Sequence, residues 1–341
     1  MPHTGHTATT LYHPVRIGPL ELSGNLFLAP VAGYSDRAFR SLCVSCGANF
    51  TYTEMVSSEA LTRDSAKTLD LIRRADNERV FAVQIFGGDP HRMAAAAQIA
   101  VEQAHADCID INAGCPVPKI VKTGAGSSLT RDPDRLYAVT KAVVQAVAPI
   151  PVTVKIRSGW DEKHLTWDEA ARAALSAGAA AITLHPRTKM QGYEGKARIE
   201  LVRELVLLAR AEFPAIPVFA SGDLFSPEDA KRTLETTGCD GIMFARGAMG
   251  NPFIFTQSKE YLTTGTFAEI PPDKRMQAGW KELADLVRDS GEKPACRIMR
   301  KRFSAYSKGI QGGAALRAAL VRAETVEDYR IILEQAGIDP V

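Results

Sequence analysis

The sequence lacks any apolar stretch as long as a membrane span. None of its apolar runs reaches the roughly 18 residues that a membrane-spanning helix needs. The first residues, MPHTGHTATT, also lack the charged segment followed by an apolar segment that is typical of a secretory signal peptide. We therefore expect a soluble, cytoplasmic protein without a membrane partner.

Cysteines are few and scattered, at positions 43, 46, 108, 115, 239 and 296. This spacing excludes the disulfide framework of a small secreted domain, so we expect reduced thiols. Cys43 and Cys46 form a CxxC pair within a segment that has a helical pattern. No second cysteine or histidine pair complements it, so we interpret the pair as structural and expect no metal site.

Charge of either sign is not in large excess. The chain has 41 Lys and Arg against 39 Asp and Glu, a formal net charge of +2, which gives no chain-wide signal for binding a polyanion. Hydrophobic residues make up 45% and charged residues 23% of the 341 positions. These values predict a globular protein with one large and one small domain, which we expect to be a monomer.

Eight short, nearly continuous apolar runs alternate with helical patterns. Such runs are typical of parallel strands covered on both faces. Strand and helix in alternation predict a (β/α)8 TIM barrel. An open doubly wound sheet is the alternative, but no GxGxxG motif follows the first run. The runs are residues 25–30, 50–54, 80–86, 108–112, 151–156, 180–185, 216–221 and 240–245.

The flanking segments differ from the barrel pattern. Residues 1–14 are predicted to be a flexible tail, and VRIGPLELSG, from residue 15, predicts a hairpin that closes the bottom of the barrel. After residue 255 the strand pattern stops. We therefore predict a barrel over 15–255 and a smaller all-helical domain over 256–341.

Polar residues stand at the carboxyl ends of the predicted strands, where the active site of such a barrel lies. The glycine-bearing turns ASGD and ARGA follow the last two strands, and their backbone N–H groups predict a phosphate site to which Arg246 adds charge. The rim residues are Pro30, Glu54, Gln84, Asn112 with nearby Cys115, Lys155, His185, Ser221 to Asp223, and Arg246 with Gly247.

The chemistry of three rim residues stays open at this point. Lys155 is either a Schiff-base lysine or a cation that holds a negative cofactor. His185 is a proton donor, a hydrogen-bond partner of a ring, or a satisfied core residue. Cys115 is an apolar filler or a reactive thiol. If it donates a proton, it must stay protonated, as its reference pKa of about 8.5 allows at neutral pH. The nearby positive charges of Lys119 and Lys122 favour the thiolate instead.

A local excess of basic residues lies in the C-terminal region. Residues 293–322 contain eight Lys or Arg and no Asp or Glu, which favours binding of an RNA backbone over an ordinary solvated helix. The helical pattern puts Met299, Phe303, Tyr306 and Ile310 on one face and Arg297, Lys301, Ser304 and Lys308 on the other. The candidate RNA-binding residues of this region are Lys293, Arg297, Arg300, Lys301 and Lys308.

Seven ordered motifs carry a family resemblance. They are LFLAPVAGYSDRAFR, VQIFGGDP, DINAGCPVPKIVKTGAGSSL, VKIRSGW, LHPRTKMQGYEGKA, ASGDL and RGAMGNPFIF. Together they resemble the bacterial tRNA-dihydrouridine synthases, of the B type, from about residue 15 to residue 255. The resemblance implies a flavoenzyme that binds FMN and tRNA and uses NADPH to reduce the C5–C6 bond of particular uridines.

The resemblance also assigns residues to roles. FMN would deliver a hydride from N5 to uracil C6, and Cys115 would protonate C5. The implied FMN-binding residues are Pro30, Val31, Ala32, Gln84, Lys155, His185, Ser221, Gly222, Asp223, Ala245 and Arg246. The implied contacts to substrate or nearby RNA are Asn112, Lys119, Lys122, Arg157, Arg187, Gln191 and Tyr193.

Three positions depart from the family pattern. Ser221 stands where asparagine is usual, Pro186 where glycine is common, and Ala245 where glycine commonly precedes the arginine. Three rival functions remain: a flavin barrel acting on a free pyrimidine, similar to dihydroorotate dehydrogenase; an aldolase that uses Lys155; and a non-catalytic RNA-binding protein. A flavin barrel that acts on a free pyrimidine would not explain the basic stretch at residues 293–322.

Overall fold

The computed structural model describes residues 10–63, 65–310 and 312–340. Most of the predicted tail, residues 1–9, lies outside the described residues. The described chain begins with an antiparallel hairpin of β1 (Val15–Ile17) and β2 (Leu20–Leu22).

Eight parallel strands form a closed barrel, as the sequence predicts. The barrel strands are β3 (Leu26–Leu28), β4 (Phe50–Tyr52), β6 (Phe81–Phe86), β7 (Cys108–Ala113), β8 (Val152–Asp161), β10 (Ala181–Thr188), β11 (Val218–Ser221) and β12 (Gly241–Phe244). The barrel closes because β12 pairs with β3, and β10 pairs with both β8 and β11. Two short strands lie outside this circle: β5 (Val56–Ser57) pairs with β6, and β9 (His164–Leu165) pairs antiparallel with β8.

Helices connect successive barrel strands. Three of them begin with a capping side chain followed by proline, at Asp89, Asp132 and Ser226, which fixes where each helix starts. The helices are α1 (Arg37–Ser45), α2 (Ser58–Leu61), α3 (Ala66–Leu71), α4 (Pro90–Ala104), α5 (Pro118–Val121), α6 (Pro133–Val147), α7 (Trp167–Ser176), α8 (Glu200–Glu212), α9 (Pro227–Thr237) and α10 (Ile254–Thr264). A 3₁₀ helix spans Gly126–Arg131.

The hairpin packs at the amino-terminal end of the barrel. Val15, Ile17 and Leu22 are buried in one cluster with aromatic side chains of the barrel interior, including Phe27 and Phe219. These side chains close the barrel at that end. Access to its interior is therefore from the carboxyl ends of the strands.

Four helices follow the barrel and share a second core. They are α11 (Pro272–Ser290), α12 (Glu292–Tyr306), α13 (Gly313–Leu320) and α14 (Val326–Gln335). Their cluster also includes Ala38, Leu42 and Cys46 of the α1 region. The predicted boundary at 255/256 falls within α10, whose Ile254 and Phe255 belong to the barrel core. After α10, the next residues of the second core are in α11, starting with Met276.

A buried arginine joins the two cores. Arg302, on α12, is 1% exposed and forms ion pairs with Glu282 of α11 and Asp36 of the loop between β3 and α1. Its guanidinium also donates to the carbonyl of Tyr34 at 3.1 Å. One side chain thus ties the loop of the first barrel strand to two helices of the C-terminal region.

This junction predicts a large stability effect. Arg302→Met leaves the buried Glu282 carboxylate without its charged partner, which costs about 3–5 kcal/mol in the free energy of unfolding. Urea denaturation followed by circular dichroism measures the change. Arg297→Met, on the exposed side of the same helix, is the control and should stay within about 0.5 kcal/mol of wild type. Equal stabilities of the two variants would contradict this role.

Candidate active site

A cavity of about 260 Å³ opens at the carboxyl ends of the barrel strands. It brings together residues from all parts of the barrel sequence, and most of the predicted rim residues line it. The predicted residues in its wall are Pro30, Val31, Ala32, Gln84, Asn112, Cys115, Lys155, Arg157, His185, Tyr193, Ser221, Gly222, Asp223, Ala245 and Arg246. The sequence analysis did not single out Met55, Val117, Phe225 or Met249, which also line it.

The backbone of Cys115 is held on both sides. Asn112 Oδ1 accepts hydrogen bonds from the N–H groups of Gly114 and Cys115, at 3.1 and 2.9 Å. The Cys115 carbonyl accepts from Ser127 Oγ at 2.7 Å and from the Ser127 N–H at 3.0 Å. A Cβ at Gly126 would lie 2.7 Å from that carbonyl oxygen, so the close approach requires glycine. Cys115, a residue that is 8% exposed, borders the cavity beyond the end of β7.

The Cys115 thiol is held in its neutral form. Burial raises its pKa above the ordinary value. The N–H of Val117 and the positive charges of Arg157 and Lys155 lower the pKa, but by less. Lys119 and Lys122, which the sequence analysis placed near the thiol, are exposed on or beside α5. A neutral thiol can donate a proton at neutral pH.

Lys155 brings a cation into the cavity wall. Within the described ranges no carboxylate lies within ion-pairing distance of its Nζ, and no hydrogen bond from it is present. Burial, and then the charge of Arg157, lowers its pKa to about 8, although Asp110 and Cys115 act in the opposite direction. Lys155 is therefore a half-buried positive charge that a negative ligand would stabilise.

His185 is a neutral imidazole. Burial, followed by the charges of Lys155, Arg157, Arg187 and Arg246, lowers its pKa well below the ordinary value. A neutral ring donates through one nitrogen and accepts through the other, so His185 suits hydrogen bonding rather than charge.

The turns after β11 and β12 have room for backbone contact with an anion. A Cβ at Gly222 would lie 2.7 Å from His185 Cδ2, and one at Gly247 would lie 2.1 Å from the Leu224 carbonyl oxygen. In the described chain, the N–H groups of Gly222, Arg246 and Gly247 have no hydrogen-bond acceptor. The guanidinium carbon of Arg246 lies 4.7 Å from the centre of the Tyr193 ring and 5.0 Å from the centre of the Phe225 ring. These turns can hold a phosphate.

The side chain of Asp223 faces other protein groups. Its carboxylate accepts from Arg187 at 2.7 and 2.8 Å, from Arg246 at 3.1 Å, and from the N–H of Ala197 at 2.8 Å. Arg187 is buried, and its guanidinium also donates to the carbonyls of Glu194 and Gly195. Arg187 thus shapes the wall, which corrects the expectation that it reaches for the substrate.

Two other predicted substrate contacts also hold loops in place. Arg157 donates to the carbonyls of Gly114, Thr188 and Gly192, each at 2.9 Å, and so bridges the Cys115 loop and the loop after β10. Gln191 Oε1 accepts from the N–H of Thr188 at 2.8 Å.

Tyr193, at 62% exposed, is the most accessible of the predicted substrate contacts in the cavity wall. Glu54, another rim residue, accepts from the N–H of Gly33 and stands outside the cavity wall.

Not all basic side chains of residues 293–322 are exposed to solvent. Lys293, Arg297, Lys301 and Lys308 are exposed. Arg302 is buried, and Arg300 donates to the Ala323 carbonyl at 2.9 Å and pairs with Glu324. Arg300 is thus half-buried and tied to a segment more than twenty residues away in sequence, and its contact with RNA stays a prediction. Helix α12 ends at Tyr306, so Lys308 and Ile310 lie beyond it rather than on its faces.

Comparison with known proteins identifies the family. A family model described as dihydrouridine synthase (Dus) matches residues 27–339. The chain belongs to the dihydrouridine synthase family. This confirms the resemblance and the expectation of an enzyme.

Named relatives are similar over almost the whole chain. A probable tRNA-dihydrouridine synthase of Treponema pallidum (strain Nichols) is 56% identical over 330 residues, which cover 96% of this chain and 97% of the relative. The tRNA-dihydrouridine synthase B of Pseudomonas aeruginosa is 40% identical over 315 residues, 92% of each chain.

A solved structure supports the fold. Histamine dehydrogenase from Rhizobium sp. 4-9 superposes with a TM-score of 0.57 at 15% sequence identity, covering 81% of this chain and 51% of that one. At this identity the similarity concerns the fold alone.

Two kinds of feature are absent from the described residues. No described helix is both long and apolar enough to cross a membrane. Likewise, residues 10–63, 65–310 and 312–340 contain no cluster of three or more His, Cys, Asp and Glu side chains suited to a metal ion.

Gly222 gives a test of the site's packing. Gly222→Ala combines a φ of 113° with a clash against His185, whereas Gly238→Ala, at a φ of 66°, meets no atom within 4 Å. We expect Gly222→Ala to lower the free energy of unfolding by at least about 1 kcal/mol more than Gly238→Ala. Chemical denaturation of the two variants measures the difference, and equal losses would show that the His185 contact is loose.

Proposed function

We propose that this protein reduces particular uridines of tRNA to 5,6-dihydrouridine, with FMN as cofactor and NADPH as reductant. The family membership supports the reaction, and the printed names of the relatives support tRNA as the substrate. The observation that carries the proposal is the neutral, backbone-pinned thiol of Cys115, which borders the same cavity as Lys155 and the two anion-holding turns.

The cavity residues fit a flavin mononucleotide. Gly222, Arg246 and Gly247 offer backbone N–H groups to a phosphate, and the Arg246 guanidinium adds charge. Lys155 offers a cation, and neutral His185 offers a ring nitrogen, to the polar edge of an isoalloxazine. Pro30, Val31, Ala32 and Gln84, which line the same cavity, would complete the cofactor site.

The departures from the family pattern leave the main donors in place. Ser221 and Ala245 change side chains next to the two turns, but the backbone N–H groups of Gly222 and Arg246 do not depend on them. Pro186 replaces a flexible residue beside His185 and keeps its carbonyl, which accepts from the N–H of Arg198 at 3.0 Å.

Reduction of the uracil C5–C6 bond needs a hydride and a proton. A bound flavin supplies the hydride. Cys115 donates the proton to C5, since its thiol is neutral at neutral pH. The thiolate that remains lies near the Val117 N–H and the charges of Arg157 and Lys155, which favour the anion until solvent returns the proton.

The helical region supplies a surface for the RNA backbone. Arg297 and Lys301 point outward from α12, while Met299, Phe303 and Tyr306 of the same helix are buried. Lys119, Lys122 and Tyr193 lie exposed around the cavity side of the barrel. A uridine in folded RNA must leave its stack to reach the barrel mouth, and binding energy from such a surface offsets that cost of a few kcal/mol.

Cys115→Ala tests the proton donor. We expect the variant to keep its flavin absorbance and tRNA affinity but to reduce tRNA about a hundredfold to ten-thousandfold more slowly, because only the acid is removed. Mass spectrometry of tRNA from a deletion strain, rescued with wild type or variant, detects the added hydrogens. Full rescue by the variant would refute the assigned role, and unchanged dihydrouridine in the deletion strain would refute the function.

Arg297→Gln tests the RNA surface. Loss of one exposed cation should weaken tRNA binding several-fold and reduce the slope of log affinity against log salt by roughly one unit. Filter binding at several salt concentrations measures both. Arg16→Gln removes an exposed arginine from the closed end of the barrel and is the matched control, expected to bind as wild type. Equal effects at both positions would contradict the assigned surface.

A further inference from the structure

A fully buried carboxylate lies beneath the cavity and has no part in the chemistry proposed above. Asp110 is on β7, and its side chain is closed to solvent. Its Oδ1 accepts from Thr153 Oγ1 at 2.5 Å, and its Oδ2 accepts from Gln84 Nε2 at 2.6 Å. Burial of a carboxylate is costly, so its placement among apolar strand residues needs a reason.

The carboxylate sets the direction of a chain of amide groups. An ionised carboxylate only accepts hydrogen bonds, so Gln84 presents its NH₂ group to Asp110. Gln84 Oε1 then faces Asn112, whose Nδ2 donates to it at 2.8 Å. Asn112 Oδ1 is thereby turned towards the N–H groups of Gly114 and Cys115. We call Asp110, Gln84 and Asn112 the amide relay.

The opposite direction is not compatible with the partners. If the Gln84 amide were reversed, its oxygen would face the Asp110 carboxylate and its NH₂ would face the NH₂ of Asn112. A reversed Asn112 would in turn present donors to the donating N–H of Cys115. Only one order satisfies every member, and a partly satisfied buried network is costly.

Asp110 is ionised at neutral pH. Burial raises its pKa to about 6, against the hydrogen bonds from Gln84 and Thr153 and the charge of Lys155, which lower it.

We propose that Asp110 is a positioning residue for Cys115, because its carboxylate fixes the direction of the amide relay and so the backbone of the loop that carries the thiol. Asp110 acts through Gln84 and Asn112 and does not border the cavity itself. The effect on turnover rests on the proposed function, whereas the effect on the loop does not.

Asp110→Leu tests the proposal, with Thr153→Val as the matched control. The leucine removes the acceptor of the Gln84 NH₂ group, whereas the valine removes a bond to the other carboxylate oxygen and leaves the relay intact. We expect iodoacetamide to alkylate Cys115 about tenfold faster or more in Asp110→Leu, because the loosened loop exposes the thiol. The rate in Thr153→Val should stay within about twofold of wild type. Peptide mass spectrometry follows Cys115 separately from the other cysteines.

A second variant restores an acceptor at the same position. The asparagine of Asp110→Asn turns its Oδ1 to the Gln84 NH₂ group and its Nδ2 to the Thr153 hydroxyl oxygen, which accepts. We expect Cys115 alkylation in this variant to stay within about threefold of wild type, compared at equal flavin content. Alkylation is the readout because Gln84 also borders the proposed cofactor site.

Three results would each overturn the proposal: wild-type alkylation in Asp110→Leu, equal acceleration in Thr153→Val, or alkylation of Asp110→Asn as fast as that of Asp110→Leu. If Asp110→Leu does not fold, Gln84→Met decides, because it removes the next member of the relay. Alkylation about tenfold faster than in wild type then supports the relay, and a wild-type rate overturns it, both proteins being compared without flavin. Turnover of tRNA by wild type, measured in parallel, shows independently whether the proposed function holds.

Discussion

Closure of the parallel sheet is the constraint on which the site depends. The pairing of β12 with β3 brings the turn of Arg246 next to the Pro30 loop, although more than two hundred residues separate them. The hairpin fills the opposite end of the barrel with apolar side chains. In the described chain a ligand therefore enters where the eight strands end, and most of the polar rim groups face the same small volume.

Burial and an excess of positive groups set the electrostatics of that volume. Burial, followed by the charges of Lys155, Arg157, Arg187 and Arg246, lowers the pKa of His185 and keeps its imidazole neutral. The same charges make the cavity favourable for an anionic ligand, while burial keeps the Cys115 thiol protonated. A proton donor and an anion-binding wall can therefore coexist, because burial dominates at the thiol and charge dominates across the cavity.

The barrel and the C-terminal helices are coupled by more than apolar packing. Helix α12 presents Arg297 and Lys301 to solvent and Arg302 to the interior, where it binds Asp36 and the Tyr34 carbonyl. That loop continues from Val31 and Ala32, which border the cavity. The surface proposed for RNA and the loop proposed for the cofactor are therefore joined through one buried side chain.

The sequence determined the barrel, the bottom hairpin and the rim, because buried parallel strands are continuous apolar runs and rim residues follow them directly. It also identified Cys115 and its neighbours through the motif around them. Only the tertiary structure decided which charges are free. Arg187 and Arg300 were predicted to contact substrate or RNA, and Arg302 was one of the eight basic residues of 293–322, yet each is bound to groups from distant segments. The roles of Asp110 and Ser127 also emerged only in three dimensions, since a hydrogen bond between strands or loops leaves no periodic pattern along the chain.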